Sequence, residues 1–258
     1  MRILVLGAAV LMEIGMANAA VQTKLVEYKQ GDAVLEGCLA WDDGAHGPRP
    51  GVLVVHDWMG MGDYVKMRCQ KLAELGYVAF AADIYGKDIR PKTPREAGAQ
   101  SAIYKKDRAL MRARIRAGLD VLRHDPRCDP RRLAAIGYCF GGTCVLELAR
   151  SGTPLAGVVS FHGGLDTPSP AEAKNIRCKV LVLHGGDDPH VPPKDVEAFE
   201  DEMRAAGVDW QLVIYGGAVH AFTNPAAGND NSKGAAYNAK ADHRSWEAMQ
   251  AFFAEILK

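Results

Sequence analysis

Residues 132–150 read RLAAIGYCFGGTCVLELAR, and this stretch decides the fold. Arg132 to Gly137 has the short apolar run of a strand. Thr143 to Arg150 carries apolar residues at helical intervals and closes on Ser151-Gly152. Between them lies Gly137-Tyr138-Cys139-Phe140-Gly141-Gly142. A strand that passes into a helix through G-x-Cys-x-G must turn sharply, and glycines flank the cysteine because a β-carbon at either place would strike neighbouring backbone. The turn lifts the thiol above the carboxyl edge of a sheet, at the positive end of the following helix, where a thiolate is favoured. A glycine-rich turn around a small buried residue has the same letters, so the surroundings must decide between the two.

Outward from this turn, β-rich runs alternate with helix-period segments, the pattern of an α/β fold with a mostly parallel central sheet and helices on both faces. Val21 to Tyr28 and Val34 to Ala40 read as an opening pair of strands, and Gly51 to His56 as a central strand buried on both faces. Further strands are predicted at Tyr77 to Asp83, Ala156 to Phe161, Lys179 to His184 and Trp210 to Tyr215. Helices are predicted at Asp63 to Leu75, at Lys194 to Ala206 and at Arg244 to Leu257, with one or two more within Pro94 to Arg123. A long polar loop is left from Thr223 to Asp242, a length that usually marks part of a site or a mobile segment.

A chain of 258 residues, 48% hydrophobic, is expected to form one domain over residues 20–258. Thirty-one basic and thirty-one acidic residues cancel, which argues against nucleic acid or an anionic membrane as partner and for a small molecule. Arg2, the apolar run from Ile3 to Met12 and Ala17-Asn18-Ala19 read as a secretory signal cleaved after Ala19, so residues 1–19 predict export to the periplasm or medium, with a cytoplasmic protein as the alternative. Past that segment no apolar run is long enough to span a membrane. The six cysteines, 38, 69, 128, 139, 144 and 178, include no C-x-x-C pair and no zinc-finger spacing, so no metal site is expected. Their disulfide pattern stays open.

Two further strand ends carry chemistry. Val180 to His184 runs into Gly185-Gly186-Asp187-Asp188-Pro189, where either aspartate could orient an imidazole. Leu212 to Tyr215 leads through a short loop to His220, one of eight histidines, placed to take the thiol proton and return it to a leaving alkoxide. The order nucleophile, acid, histidine is that of the α/β-hydrolase fold. An oxyanion hole would then draw one N–H from Phe140 and one from Trp58, after the third strand.

With G-Y-C-F-G-G at 137–142, H-G-G-D-D-P-H-V-P at 184–192, H-A-F at 220–222, V-V-H-D-W-M-G at 54–60 and A-D-I-Y-G at 82–86, the chain resembles the dienelactone hydrolase (carboxymethylenebutenolidase) family from about Val34 onward. The resemblance implies an α/β-hydrolase that cleaves an ester or lactone through an acyl-enzyme, with Cys139, Asp188 and His220 as nucleophile, acid and base and no cofactor. It also puts Asp57 where the family has a thiol-modulating glutamate. Lys87 and Asn224 fall where two arginines clamp the substrate carboxylate, and Tyr85 joins them as an expected substrate contact. Lysine supplies a point charge and asparagine none, which puts dienelactone itself in question; Arg90, Lys240 and Arg244 are substitute cations to consider. General carboxylesterase or thioesterase activity, ligand binding without turnover, and a redox role for Cys139 are the alternatives.

Overall fold

Residues 20–44 and 46–258 are described by a computed structural model, and the secretory signal read at 1–19 lies outside them. Strands β1 (Val21–Gln30), β2 (Ala33–Asp42), β3 (Arg49–Val55), β4 (Val78–Ala82), β5 (Cys128–Tyr138), β6 (Gly157–Phe161), β7 (Lys179–Gly185) and β8 (Trp210–Tyr215) form one eight-stranded sheet in the order β1-β2-β4-β3-β5-β6-β7-β8. β2 pairs antiparallel with β1 and with β4, and every other neighbouring pair is parallel. The parallel strands therefore end at one edge of the sheet, the edge where α/β proteins place their sites.

Side chains leave a strand alternately to its two faces, so Val52 and Val54 enter one core while Leu53 and Val55 enter the other. Helices α1 (Asp63–Glu74) and α6 (Ala239–Ile256) cover the first face, and α3 (Arg108–Arg123), α4 (Phe140–Arg150) and α5 (Pro193–Ala206) cover the second. The α/β-hydrolase architecture expected from the alternation of elements is the one observed. α4 is held against its neighbours by a buried ion network. The guanidinium of Arg150, 1% exposed, grips Glu202 of α5 at 2.8 and 2.7 Å and reaches Glu147 at 3.1 Å, and Arg112 of α3 closes on Glu147 at 2.7 Å. Removing Arg150 would leave Glu202 buried without its partner, the costly way to break such a network.

Several boundaries differ from the sequence reading, each for a local reason. The 94–123 segment, read as one or two helices, is two, α2 (Pro94–Lys106) and α3, divided at Asp107, whose carboxylate accepts from Leu110 N at 2.8 Å and starts α3 afresh. α4 begins at Phe140, directly after the cysteine, rather than at Thr143. α6 begins at Ala239 rather than Arg244, because Asn238 Oδ1 accepts from Ala241 N at 3.1 Å and caps it; the loop read to Asp242 is shorter and holds two 3-10 turns, Pro225–Ala227 and Asn231–Lys233. No helix among the described residues is long and apolar enough to cross a membrane. All six cysteines are unpaired thiols, five of them buried.

Gly118 shows how tightly α3 lies on the sheet, since a β-carbon there would stand 2.6 Å from Ala82 Cβ. Alanine ordinarily stabilises a helix interior by about 1 kcal/mol over glycine. Here the overpacking should win, and Gly118→Ala is expected to lose about 1–3 kcal/mol of unfolding free energy in urea titration. A gain would show that α3 can lift from β4 at little cost.

Candidate active site

Cys139 leaves β5 with φ 54°, in the left-handed region that residues with a β-carbon rarely adopt. The turn is possible because of its glycines. A β-carbon on Gly137 would lie 2.0 Å from Gly141 O, and one on Gly141 would lie 2.2 Å from Val55 O at the end of β3. The resulting geometry sets the half-buried Cys139 at the N-terminus of α4, into a cavity of about 500 Å³ over the carboxyl ends of the parallel strands.

Loops after β7 and β8 bring the next two groups to it. His220 Nε2 stands 3.0 Å from Cys139 Sγ, and His220 Nδ1 stands 2.8 Å from Asp188 Oδ2. The other Asp188 oxygen accepts from His190 N at 2.8 Å, which aims the carboxylate. Asp187, the competing aspartate, is exposed. Burial works against charge on His220, but its charge interactions and hydrogen bonds with Cys139 and Asp188 outweigh it and lift its pKa to about 10. Burial likewise works to raise Asp188, and the hydrogen bond and charge of His220 overcome it, holding the carboxyl below its usual range. Cysteine, imidazole and carboxylate thus form one hydrogen-bonded line in which an imidazolium is stabilised from both sides, the arrangement that activates a thiol.

The remaining expected residues divide. Phe140 and Trp58 both line the cavity. As the first residue of α4, Phe140 has an N–H with no intrahelical acceptor, and no backbone acceptor among the described residues takes the N–H of Trp58. Asp57 also lines the cavity, yet its Oδ1 accepts from Met59 N at 2.8 Å; the thiol's hydrogen-bond partner is His220, not Asp57. Burial raises the Asp57 carboxyl above its ordinary value, against the pull of Met59 N, His56 and His220. Asn224 lines the cavity with its Oδ1 engaged by Ala226 N at 3.0 Å.

Two expected substrate contacts lie elsewhere. Tyr85 is 1% exposed and sits beneath the site, its hydroxyl donating to Trp58 O at 2.9 Å, so it steadies the loop after β3 instead of meeting a ligand. Lys87 is outside the cavity lining, drawn to the edge of the sheet by Glu27 and by Glu36 at 3.9 Å. Arg90 is held by Asp83 at 3.3 Å, and Lys240 and Arg244 line a separate small hollow beside Tyr215. The lysine that does line the main cavity is Lys105 of α2, which the sequence reading passed over. It also passed over His162, at the end of β6, because His220 was singled out by following both Cys139 and Asp188 in the chain, and His162 precedes Asp188.

The Dienelactone hydrolase family model matches residues 35–257. Among solved structures, a dienelactone hydrolase-like promiscuous phosphotriesterase from metagenomic libraries is 42% identical, covering 93% of this chain and 100% of its own, with a TM-score of 0.88. A protein named m3DLH is 41% identical over the same shares, with a TM-score of 0.89. The Caenorhabditis elegans protein K02A2.1 is 36% identical over 150 residues, 56% of this chain and 93% of its own length.

The charge on His220 supplies a direct test. Cys139→Ser keeps the shape and removes the thiol's contribution to the cation, so burial should pull the imidazole pKa down from about 10. Ring-proton NMR titration reads the shift; an unchanged midpoint would mean that Asp188 alone sustains the cation. Since the folded pKa lies above the unfolded one, near 6.5, the stability it contributes is complete below about pH 6.5 and is lost as pH rises through about 10. Thermal melts of the wild type should therefore fall across that alkaline window more steeply than those of Cys139→Ser.

Proposed function

The chain belongs to the dienelactone hydrolase family, and from that premise we propose that it hydrolyses small, uncharged esters and lactones through an acyl-enzyme on Cys139. The reading is carried by the 3.0 Å Cys139–His220 and 2.8 Å His220–Asp188 contacts, made at the floor of an open cavity. In this reading the Cys139 thiolate attacks the carbonyl carbon, and the negative oxygen is received by the N–H groups of Phe140 and Trp58. The His220 imidazolium gives its Nε2 proton to the departing alkoxide, and the thioester remains. Now neutral, the same imidazole takes a proton from water, whose oxygen attacks the thioester; the carboxylic acid leaves and the thiolate–imidazolium pair is restored. Asp188 keeps the imidazole in the right tautomer and steadies its charge.

Uncharged substrates are favoured by what the cavity wall lacks. Lys87 is engaged by glutamates outside it, and Asn224 carries no charge, so the two positions expected to clamp a carboxylate do not supply one. General carboxylesterase or thioesterase activity follows from the same chemistry. A phosphotriester is a second substrate class worth assay, because the 42% identical relative named for that activity is matched over its whole length.

The test is a paired assay of p-nitrophenyl acetate, a neutral butyrolactone, a carboxylated butenolide and a p-nitrophenyl phosphotriester, with intact-mass analysis for a Cys139 adduct. The neutral carboxylic esters are expected to exceed the carboxylated butenolide in kcat/KM, and Cys139→Ala to lose about 10³-fold or more. Wild-type turnover by Cys139→Ala would overturn the nucleophile; preference for the carboxylated lactone would overturn the substrate class.

A further inference from the structure

Resting on the reading of Cys139 and His220 as the reacting pair, we infer that His162 is a positioning residue: a buried imidazole that ties the cysteine turn to the histidine loop and so sets the spacing between the two. Phe161 pairs with Tyr138 across β6 and β5, which puts His162 abreast of Cys139. Its backbone is fastened on the far side, where His162 N donates to Leu183 O at 2.8 Å, and its φ of 39° lies in the left-handed region, which a histidine enters only when its surroundings impose it. The side chain is 2% exposed and lines the cavity floor.

The two ring nitrogens make different bonds, and the difference defines the tautomer. Cys139 N donates to Nδ1 at 3.2 Å while also reaching Phe161 O at 3.0 Å, so Nδ1 carries no proton. The proton is on Nε2 and is donated to Thr223 Oγ1 at 2.7 Å. Thr223 is fully buried and follows His220 by one tight turn, in which Ala221 has φ 57°. One end of the imidazole therefore holds the backbone of the nucleophile, and the other holds the loop that carries the base. Between them its ring meets His220 edge-to-face, with centroids 5.4 Å apart.

Thr223 is itself anchored from behind. Its hydroxyl is 2.6 Å from Tyr64 OH, and its carbonyl accepts from Arg68 Nη2 at 2.6 Å, with Arg68 paired to Asp242 at 2.6 Å. The groups facing His162 are His220, Thr223, Tyr138, Phe222 and, beyond Thr223, Tyr64 and Arg68. Burial, then the positive charges of His220 and Arg68, drives the His162 pKa well below its ordinary value, so the brace stays neutral and its two hydrogen bonds keep their direction while His220 changes charge.

Thr223→Val removes the hydroxyl at constant volume and Thr223→Ser keeps it, so the pair separates the hydrogen bond from packing. Two readouts are needed: steady-state kinetics on whichever ester the wild type turns over, and the rate of Cys139 alkylation by iodoacetamide as a function of pH, which requires no substrate. Thr223→Val is expected to lower kcat about tenfold or more with KM within about twofold, and to move the alkylation profile towards that of an unpaired thiol; Thr223→Ser should stay within about threefold of wild type in both. His162→Phe keeps a ring in place and removes both hydrogen bonds, and should reproduce the displaced profile should Thr223→Val not fold. A wild-type alkylation profile in either variant that folds, or equal losses in Thr223→Ser and Thr223→Val, overturns the brace. Absence of ester turnover by the wild type counts against the hydrolase reading alone, because the alkylation profiles still decide the role of His162.

Discussion

The site depends on one close approach between backbones. Val55 O, at the end of β3, lies where a β-carbon on Gly141 would be, and Gly141 O lies where one on Gly137 would be. Because the first turn of α4 can press this close to β3, the chain reverses direction within a few residues of β5, and Cys139 is left at the crest with φ 54°. Unfavourable dihedrals of this kind cost of order 1–3 kcal/mol and persist only where the surroundings over-determine them. Here the surroundings are the parallel ladder of β3, β5 and β6 on one side and the Arg150–Glu147–Glu202 network that holds α4 on the other. Stability made in the body of the fold thus maintains strain at Cys139.

Around that residue, four histidines stand at the ends of parallel strands, His56, His162, His184 and His220, and only His220 is shifted towards its charged form. His56 is fully buried, with Nδ1 donating to Asp57 O at 2.6 Å and Nε2 accepting from Ile84 N at 3.2 Å; burial lowers its pKa. His162 and His184 are similarly buried and similarly lowered. His220 suffers the same burial yet moves the opposite way, because it alone is hydrogen-bonded to a carboxylate and a thiol. Desolvation is common to all four, so the partners decide the outcome. A site with two locked neutral imidazoles beside one cationic imidazole can move a proton at one nitrogen without rearranging its frame.

How much of this was legible follows from how local each signal is. The cysteine turn is written in adjacent letters, because Gly137, facing Gly141 O, and Gly141, facing Val55 O of β3, must both lack a β-carbon at fixed offsets from Cys139. The central strands were legible because burial on both faces leaves nearly unbroken apolar runs, as in 51–56 and 156–161. Asp107 and Asn238 were missed as caps because a capping side chain acts through one backbone N–H and leaves the hydrophobic period on either side unchanged. His162 was missed for a different reason: its partners, Cys139 N and Thr223 Oγ1, are distant in sequence, and a pairing across β5, β6 and the β8 loop leaves no spacing to read. Lys87 and Tyr85 were placed by resemblance alone, and whether a residue after β4 reaches the cavity depends on the acidic partners across the sheet edge, Glu27 and Glu36.

That relocation of charge bears on what the cavity can select. A carboxylate-binding pocket of the arginine type works through paired, partly buried hydrogen bonds of fixed geometry. Lys105, exposed on α2, is the lysine available at the wall, and a solvated ammonium with four rotatable bonds contributes about 0–1 kcal/mol to an ion pair. Such a contact changes affinity by less than tenfold, too little to pick an anionic lactone from a neutral ester of the same shape. In the proposed reaction, discrimination must then come from fit within the cavity and from orientation of a carbonyl above Cys139. Both are set by the loops after β3 and β8, which Tyr85 holds from below and His162 and Thr223 hold from the side.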